Sequence, residues 1–333
     1  MNNRAIITGT GRYLPNRVVT NFDLEKIINT TDAWIRERSG IAERRWVDSG
    51  EGPSDLAAEA AKLALAAAKT DPSEVDFLIA ATLSPDHYFP GIGVMVQDKL
   101  GLSHIGALDV RNQCSGFIYA LSVANQYIRT GTYKKILLVA AEVHSTSLDL
   151  SDEGRDMAVL FGDGGGAVVL EPSPADSGRG ILSTHLYSDG SHVTDLWMEN
   201  PSPKKSPVFQ LELFQANRFF PRMDGKNVFK NASERMPEAV LAGLKHNGLN
   251  VSDVSVLIPH QANDRISQMV AKKLQIPLEK VVRNIERYGN TTAASIPIAL
   301  DETVREGRLK PNDLLVLAAF GSGFTWGSAV IRW

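Results

Sequence analysis

Cys114 is the single cysteine in a chain of 333 residues, and its surroundings suit a nucleophile. Residues 107–110 read as a short buried strand, and the run that begins Cys114-Ser115-Gly116-Phe117 opens an apolar-periodic helix reaching Arg129 and stopping at Gly131. A sulfur at a helix N-terminus meets unpaired backbone N–H groups and the positive end of the helix dipole. Both favour the thiolate, which is the reactive form. A single cysteine is more often a small buried hydrophobe, so the chemical reading depends on partners. His260 follows an apolar strand at 256–259, at the carboxyl end where open α/β sheets usually hold ligands. Asn290 heads a second helix. A nucleophile and two hydrogen-bonding residues thus come from three separate elements.

Internal repetition is what brings them together. Cys114 heads a helix that ends at Gly131 and Asn290 one that ends at Gly307, both spacings of 17 residues, or about 25 Å of helix. Each helix is followed by a continuous apolar run, 135–141 and 313–319, of the kind a sheet buried on both faces requires. Each half then carries a Phe-Gly-x-Gly turn, at Phe161 and Phe320, leading into a further strand. Before each helix lies a matching strand, 77–81 and 256–259. Four pairs in the same order indicate duplication, with halves at 1–172 and 179–333 joined by the polar Pro/Gly/Ser connector 171–178. A pseudo-twofold then sets the start of the Cys114 helix against that of the Asn290 helix. The second half also holds a long Pro- and aromatic-rich excursion at 197–223, of the kind that caps a site or covers a partner subunit.

Around this frame the pattern is that of a layered α/β protein, with helices expected at 54–69, 232–246 (Pro237 marking its first turn) and 264–274. Hydrophobic content of 43% and a formal net charge of −3 describe a chain able to bury a large core. The balanced charge makes no global case for nucleic acid or an anionic membrane surface. Residues 1–9 pass straight into a strand-like run without a signal-peptide core, and no apolar stretch is long enough to span a bilayer. One cysteine excludes an intrachain disulfide, and a reducing cytoplasm is the expected compartment.

Four ordered motifs carry a resemblance to a known family. They are Cys114-Ser115-Gly116-Phe117, Pro259-His260-Gln261-Ala262-Asn263, the run from Tyr288-Gly289-Asn290 to Ser295, and Phe320-Gly321-Ser322-Gly323-Phe324-Thr325-Trp326-Gly327. Together with the opening Gly9-Thr10-Gly11-Arg12-Tyr13-Leu14-Pro15, they make nearly the whole chain resemble the β-ketoacyl-acyl-carrier-protein synthase III family, the initiating condensing enzymes of bacterial fatty-acid synthesis. The resemblance implies the thiolase fold, two similar halves in a five-layer αβαβα arrangement, and a homodimer. It implies decarboxylative Claisen condensation of an acyl-CoA with malonyl-acyl-carrier protein, with no metal or organic redox cofactor. Cys114 would carry the acyl group, His260 and Asn290 would stabilise the enolate, and backbone N–H groups of Cys114 and of Ser322 or Gly323 would form the oxyanion hole. Trp34, Arg38, Arg155 and Asn263 match CoA contacts. Phe89 matches an aromatic residue that reaches the partner subunit's acyl pocket. Arg265, Lys230 and Lys272 fall where the acidic carrier protein docks.

Several positions depart from that pattern. Arg111-Asn112-Gln113 precedes the cysteine where small residues are common, Ser322 stands where glycine is frequent, and the 197–223 excursion is long. These lie near acyl-pocket or entrance elements, so the primer need not be acetyl. A thiolase-like Claisen enzyme ordinarily needs a second catalytic cysteine, which this chain lacks. Two alternatives remain at the level of sequence. One is a synthase III-like acyltransferase or condensing enzyme of secondary metabolism with a non-acetyl primer; the other is a non-catalytic carrier-protein-binding scaffold, against which the intact Cys/His/Asn set argues.

Overall fold

The computed structural model describes residues 4–174 and 177–333; of the connector expected at 171–178, Ala175 and Asp176 lie outside the described residues. Two sheets form the frame. The first has five strands, in the order Ala5–Tyr13, Gly164–Pro172, Ile136–Glu142, Phe77–Ala81, Gly106–Val110. The second has four, in the order Val256–Pro259, Leu314–Gly321, Thr325–Arg332, Gly180–Ser188. Phe77–Ala81 pairs parallel to Ile136–Glu142 as Val256–Pro259 pairs parallel to Leu314–Gly321, and each sheet continues through two antiparallel neighbours. The duplicated strands therefore sit in the same order in both sheets, and Gly106–Val110 is an extra edge strand of the first.

Helices separate and cover these sheets. Gly116–Thr130 and Ser295–Arg305 form the middle layer, their buried Phe117, Leu121, Ile128, Ile296 and Leu300 packing with Ile79 and Leu138 of one sheet and Ile258 and Leu317 of the other. Pro53–Ala68 and Ile92–Lys99 cover the outer face of the first sheet, and Gly225–His246 and Asp264–Leu274 that of the second. The result is the expected αβαβα thiolase arrangement. Gly9 is needed for the outer packing, because a Cβ there would stand 2.2 Å from the Ala64 carbonyl oxygen.

Two helix boundaries differ from the sequence reading. The helix expected from Ala232 begins at Gly225, capped by the Asp224 side chain accepting from the Asn227 N–H, and runs through Pro237 without ending. Burial of Ala232, Met236, Ala239 and Val240 against the sheet outweighs the hydrogen bond that the proline removes. Near the cysteine, the α-helix starts at Gly116, and Cys114 lies in a preceding single turn, Gln113–Ser115. The second half has the same device, the turn Thr292–Ala294 ahead of Ser295–Arg305. Gln113 and Thr292 share a left-handed φ, 44° and 48°. The residue equivalent to Cys114 is therefore Ala293, and the Cys114–Asn290 match expected from spacing is displaced by three residues. The cause is helix length: 15 residues in the first half and 11 in the second.

The 197–223 excursion leaves and returns through a two-stranded pair, Leu196–Trp197 with Arg222–Met223. Between them it carries one short helix, Leu211–Gln215, and exposed Phe209, Leu211 and Phe214.

Candidate active site

Cys114, His260 and Asn290 line one cavity of about 400 Å³. The strand Val256–Pro259 sets His260 at its end, where the His260 N–H donates to the Ala318 carbonyl at 2.7 Å. The His260 ring is 1% exposed. Nδ1 lies 2.7 Å from Ser295 Oγ, and that oxygen already accepts from the Gln261 N–H at 3.4 Å. With the Ser295 hydroxyl donating to Nδ1, the ring proton sits on Nε2, which is buried without a protein partner. Burial lowers the pKa to about 3, so the imidazole is neutral and presents one N–H donor to the cavity.

Asn290 is held by its backbone: its N–H donates to the Leu160 carbonyl at 2.8 Å, and its carbonyl accepts from the Gly162 N–H at 3.1 Å. Its Oδ1 accepts from the Thr292 N–H at 2.9 Å. The amide nitrogen has no protein partner among the described residues and is a second donor for the cavity. Gly321 presses on the cysteine, since a Cβ there would stand 2.9 Å from Cys114 N. Only glycine lets the Phe320–Gly323 turn approach this closely.

The thiol itself differs from expectation. Burial, with the Glu142 carboxylate nearby, pushes Cys114 up to about 12, against the opposing pull of its own backbone N–H and a hydrogen bond from the Thr292 side chain. A helix terminus supplies about 0.3–1 kcal/mol to a neighbouring charge, less than removing a thiolate from water costs. The closed, resting site therefore holds a thiol. Glu142 is fully buried and held up to about 7 by burial, while it accepts from Leu83 N, Ser84 N and Ser84 Oγ.

At the cavity mouth, Arg38 and Arg155 stack over Trp34, with guanidinium carbons 4.9 and 4.5 Å from the ring centroid. Asn263 donates from Nδ2 to the Arg38 carbonyl at 2.8 Å and accepts the Arg265 N–H at 2.9 Å. Arg265 lines the cavity and lies 5.7 Å from the Phe229 centroid. Lys272 flanks a shallow groove shared with Phe229 and Arg265, whereas exposed Lys230 lines neither this cavity nor that groove. Lys226 also lines the cavity. Arg38, Lys226 and Arg265 against Asp156 make the walls net basic, suited to phosphates or an acidic partner.

A second cavity, about 750 Å³, opens on the other side of Cys114 and is lined by Ser322, Gly323, Arg111, Gln113, His144, Thr292 and the foot of the excursion. Ser322 Oγ donates to the Leu196 carbonyl and ties that foot to the turn. Phe89 lines neither cavity of its own chain and is 80% exposed. Sequence reasoning missed Ser295, Thr292, Glu142 and His144. Ser295 and Thr292 lie inside a quoted motif, but no spacing rule marks a residue whose task is to orient another.

This geometry has known counterparts. Residues 108–190 match the family model 3-oxoacyl-[acyl-carrier-protein (ACP)] synthase III, and residues 244–333 match the model of its C-terminal part. The chain is 44% identical over 333 residues to a β-ketoacyl-[acyl-carrier-protein] synthase III of Bradyrhizobium sp., with 99% of each chain covered. The chain belongs to the synthase III family. A second synthase III, from Alkalilimnicola ehrlichii, is 48% identical over 330 residues, again with 99% of each covered. The crystal structure of the synthase III from Aquifex aeolicus superposes with a TM-score of 0.90 at 43% identity, covering 99% of this chain and 100% of that one.

Proposed function

We propose that Cys114, His260 and Asn290 divide between them a decarboxylative Claisen condensation of an acyl-CoA with malonyl-acyl-carrier protein. The observation that carries this reading is the convergence of one thiol and two unpaired, uncharged donors, His260 Nε2–H and Asn290 Nδ2, on one cavity.

In the first half-reaction the Cys114 sulfur attacks the thioester carbonyl while the carbonyl oxygen accepts from the Cys114 N–H and an N–H of Ser322 or Gly323. The C–S bond to CoA breaks, and CoA leaves as a thiolate that takes up the cysteine proton. In the second, the C–C bond of malonyl-acyl-carrier protein breaks, CO2 departs, and the electron pair remains as an enolate. Its oxygen accepts from His260 and Asn290. A neutral donor suits this task, because it stabilises the enolate without protonating the carbon that must react. That carbon attacks acyl-Cys114, and the released cysteine thiolate recovers a proton from solvent. The products are β-ketoacyl-acyl-carrier protein, CoA and CO2.

Trp34, Arg38, Arg155 and Asn263 would hold CoA, and Arg265 with Lys230 and Lys272 would receive the carrier protein. The half at 1–172 would supply the nucleophile, and that at 179–333 the two donors. The proposed assembly is a cytoplasmic homodimer in which Phe89 reaches the partner's acyl cavity; exposed Tyr88 and Phe89, at 75% and 80%, support it. The test is intact-protein mass spectrometry after exposure to a panel of acyl-CoAs. One acyl group on wild type and none on Cys114→Ser is the expected result; an adduct on the serine variant at another residue overturns the assignment.

A further inference from the structure

The cavity behind Cys114 is larger than the tunnel in front of it, about 750 against 400 Å³. Measured in one protomer, without the aromatic ring that the partner's Phe89 would add, it lies within the range that holds drug-sized ligands, about 300–1,000 Å³, and far exceeds what the two carbons of an acetyl group occupy. Much of its wall is apolar, including Leu83, Val143, Leu148, Phe161, Trp197 and Met198. Such a surface gains from every methylene it covers.

Into this wall the chain sets one buried imidazole. His144 is 8% exposed, its ring tilted against Phe161 with centroids 4.7 Å apart, and neutral because burial lowers its pKa to about 4. Its Nε2 lies 2.6 Å from Thr292 Oγ1. His144, Thr292 and Cys114 line the same cavity, so the imidazole shares a wall with the reacting sulfur. With Nε2–H donating to Thr292 Oγ1, Nδ1 is left a bare acceptor. Nδ1 has no protein partner among the described residues, and it is not among the sealed-in atoms. An alkyl chain covering that nitrogen would strip its water and return nothing, whereas a hydroxyl would pair with it in either tautomer. A charged chain end fits less well, because Glu51 and Asp86 share the wall with Arg111.

We infer that the primer is a medium-length acyl chain with a hydroxyl close to its thioester, and that His144 selects it by a hydrogen bond from that hydroxyl. This rests on the reading of Cys114 as the acyl acceptor. The test compares acetyl-, butyryl- and octanoyl-CoA with β-hydroxybutyryl- and β-hydroxyoctanoyl-CoA, by acylation of Cys114 in the intact protein and by kcat/KM for condensation. Octanoyl should exceed acetyl, and each hydroxylated chain should exceed its plain counterpart by about tenfold, the scale of one neutral hydrogen bond. In His144→Leu the hydroxyl preference should vanish while octanoyl is still accepted; in His144→Gln part of it should persist. Preference of wild type for acetyl, or for the plain over the hydroxylated chain, overturns the inference while leaving Cys114 as the acceptor. Failure of every acyl-CoA to label Cys114 overturns both.

Discussion

His260 is a donor to the cavity only because Ser295 occupies its other nitrogen. His260→Ala or Asn290→Ala should slow malonyl decarboxylation by about 10²–10³, the cost of one lost oxyanion donor, while single-turnover acylation of Cys114 persists. Normal decarboxylation in both variants would remove them from the proposed roles. Ser295→Ala should reproduce a milder form of the His260 defect, with kcat falling more than KM rises, because the ring loses its orientation and its tautomer. The thiol makes a separate prediction. With Cys114 pushed up to about 12, alkylation by iodoacetamide should keep rising with pH through about pH 10, whereas an ordinary thiol levels off above about 9. A plateau near neutrality would show that the resting enzyme holds a thiolate.

At the scale of elements, two packed pieces set the reaction geometry. The Phe320–Gly323 turn lies against Cys114, and Gly321→Ala would place a Cβ 3.0 Å from Cys114 Cβ. We expect a stability loss of about 1–3 kcal/mol, seen in the denaturant midpoint, and a fall in both half-reactions, since both use the same oxyanion site. The helix Asp264–Leu274 carries Arg265 at its first turn, on the wall of the tunnel. Arg265→Glu should raise KM for malonyl-acyl-carrier protein much more than it slows acylation by acyl-CoA, and wild-type condensation should weaken as salt rises. Equal losses in both half-reactions would place Arg265 in CoA binding or in folding.

For the whole molecule, the buried histidines predict acid lability. His144 and His260 titrate at about 4 and 3 when folded, against 6.5 ordinarily. Between those values the unfolded chain binds more protons than the native one, so stability falls as pH drops from 6.5. Glu142 acts in the opposite sense: at about 7 against 4.5, it keeps a proton that the unfolded chain releases. Three lowered imidazoles, His185 included, outweigh Glu142 and Asp163, whose carboxyls burial raises, so Tm should decline from about pH 6.5 to 4, and Glu142→Gln should steepen that decline. A Tm flat across this range would show that the two rings charge in the native state.

The positions of the matched strands, the duplication and the Cys/His/Asn set were legible in the amino-acid sequence, because each depends on local pattern: continuous apolar runs for doubly covered strands, glycine turns, and a motif at each element's end. Tertiary structure decided the rest. It placed Cys114 opposite Ala293 and not Asn290, because the register of two helices of different length depends on how they pack between the sheets. It made the thiol a weak acid and both imidazoles neutral, because desolvation depends on what covers a group in space. It also supplied Ser295, which meets His260 only once the second half folds, and Thr292, which meets His144 only once the two halves pack together.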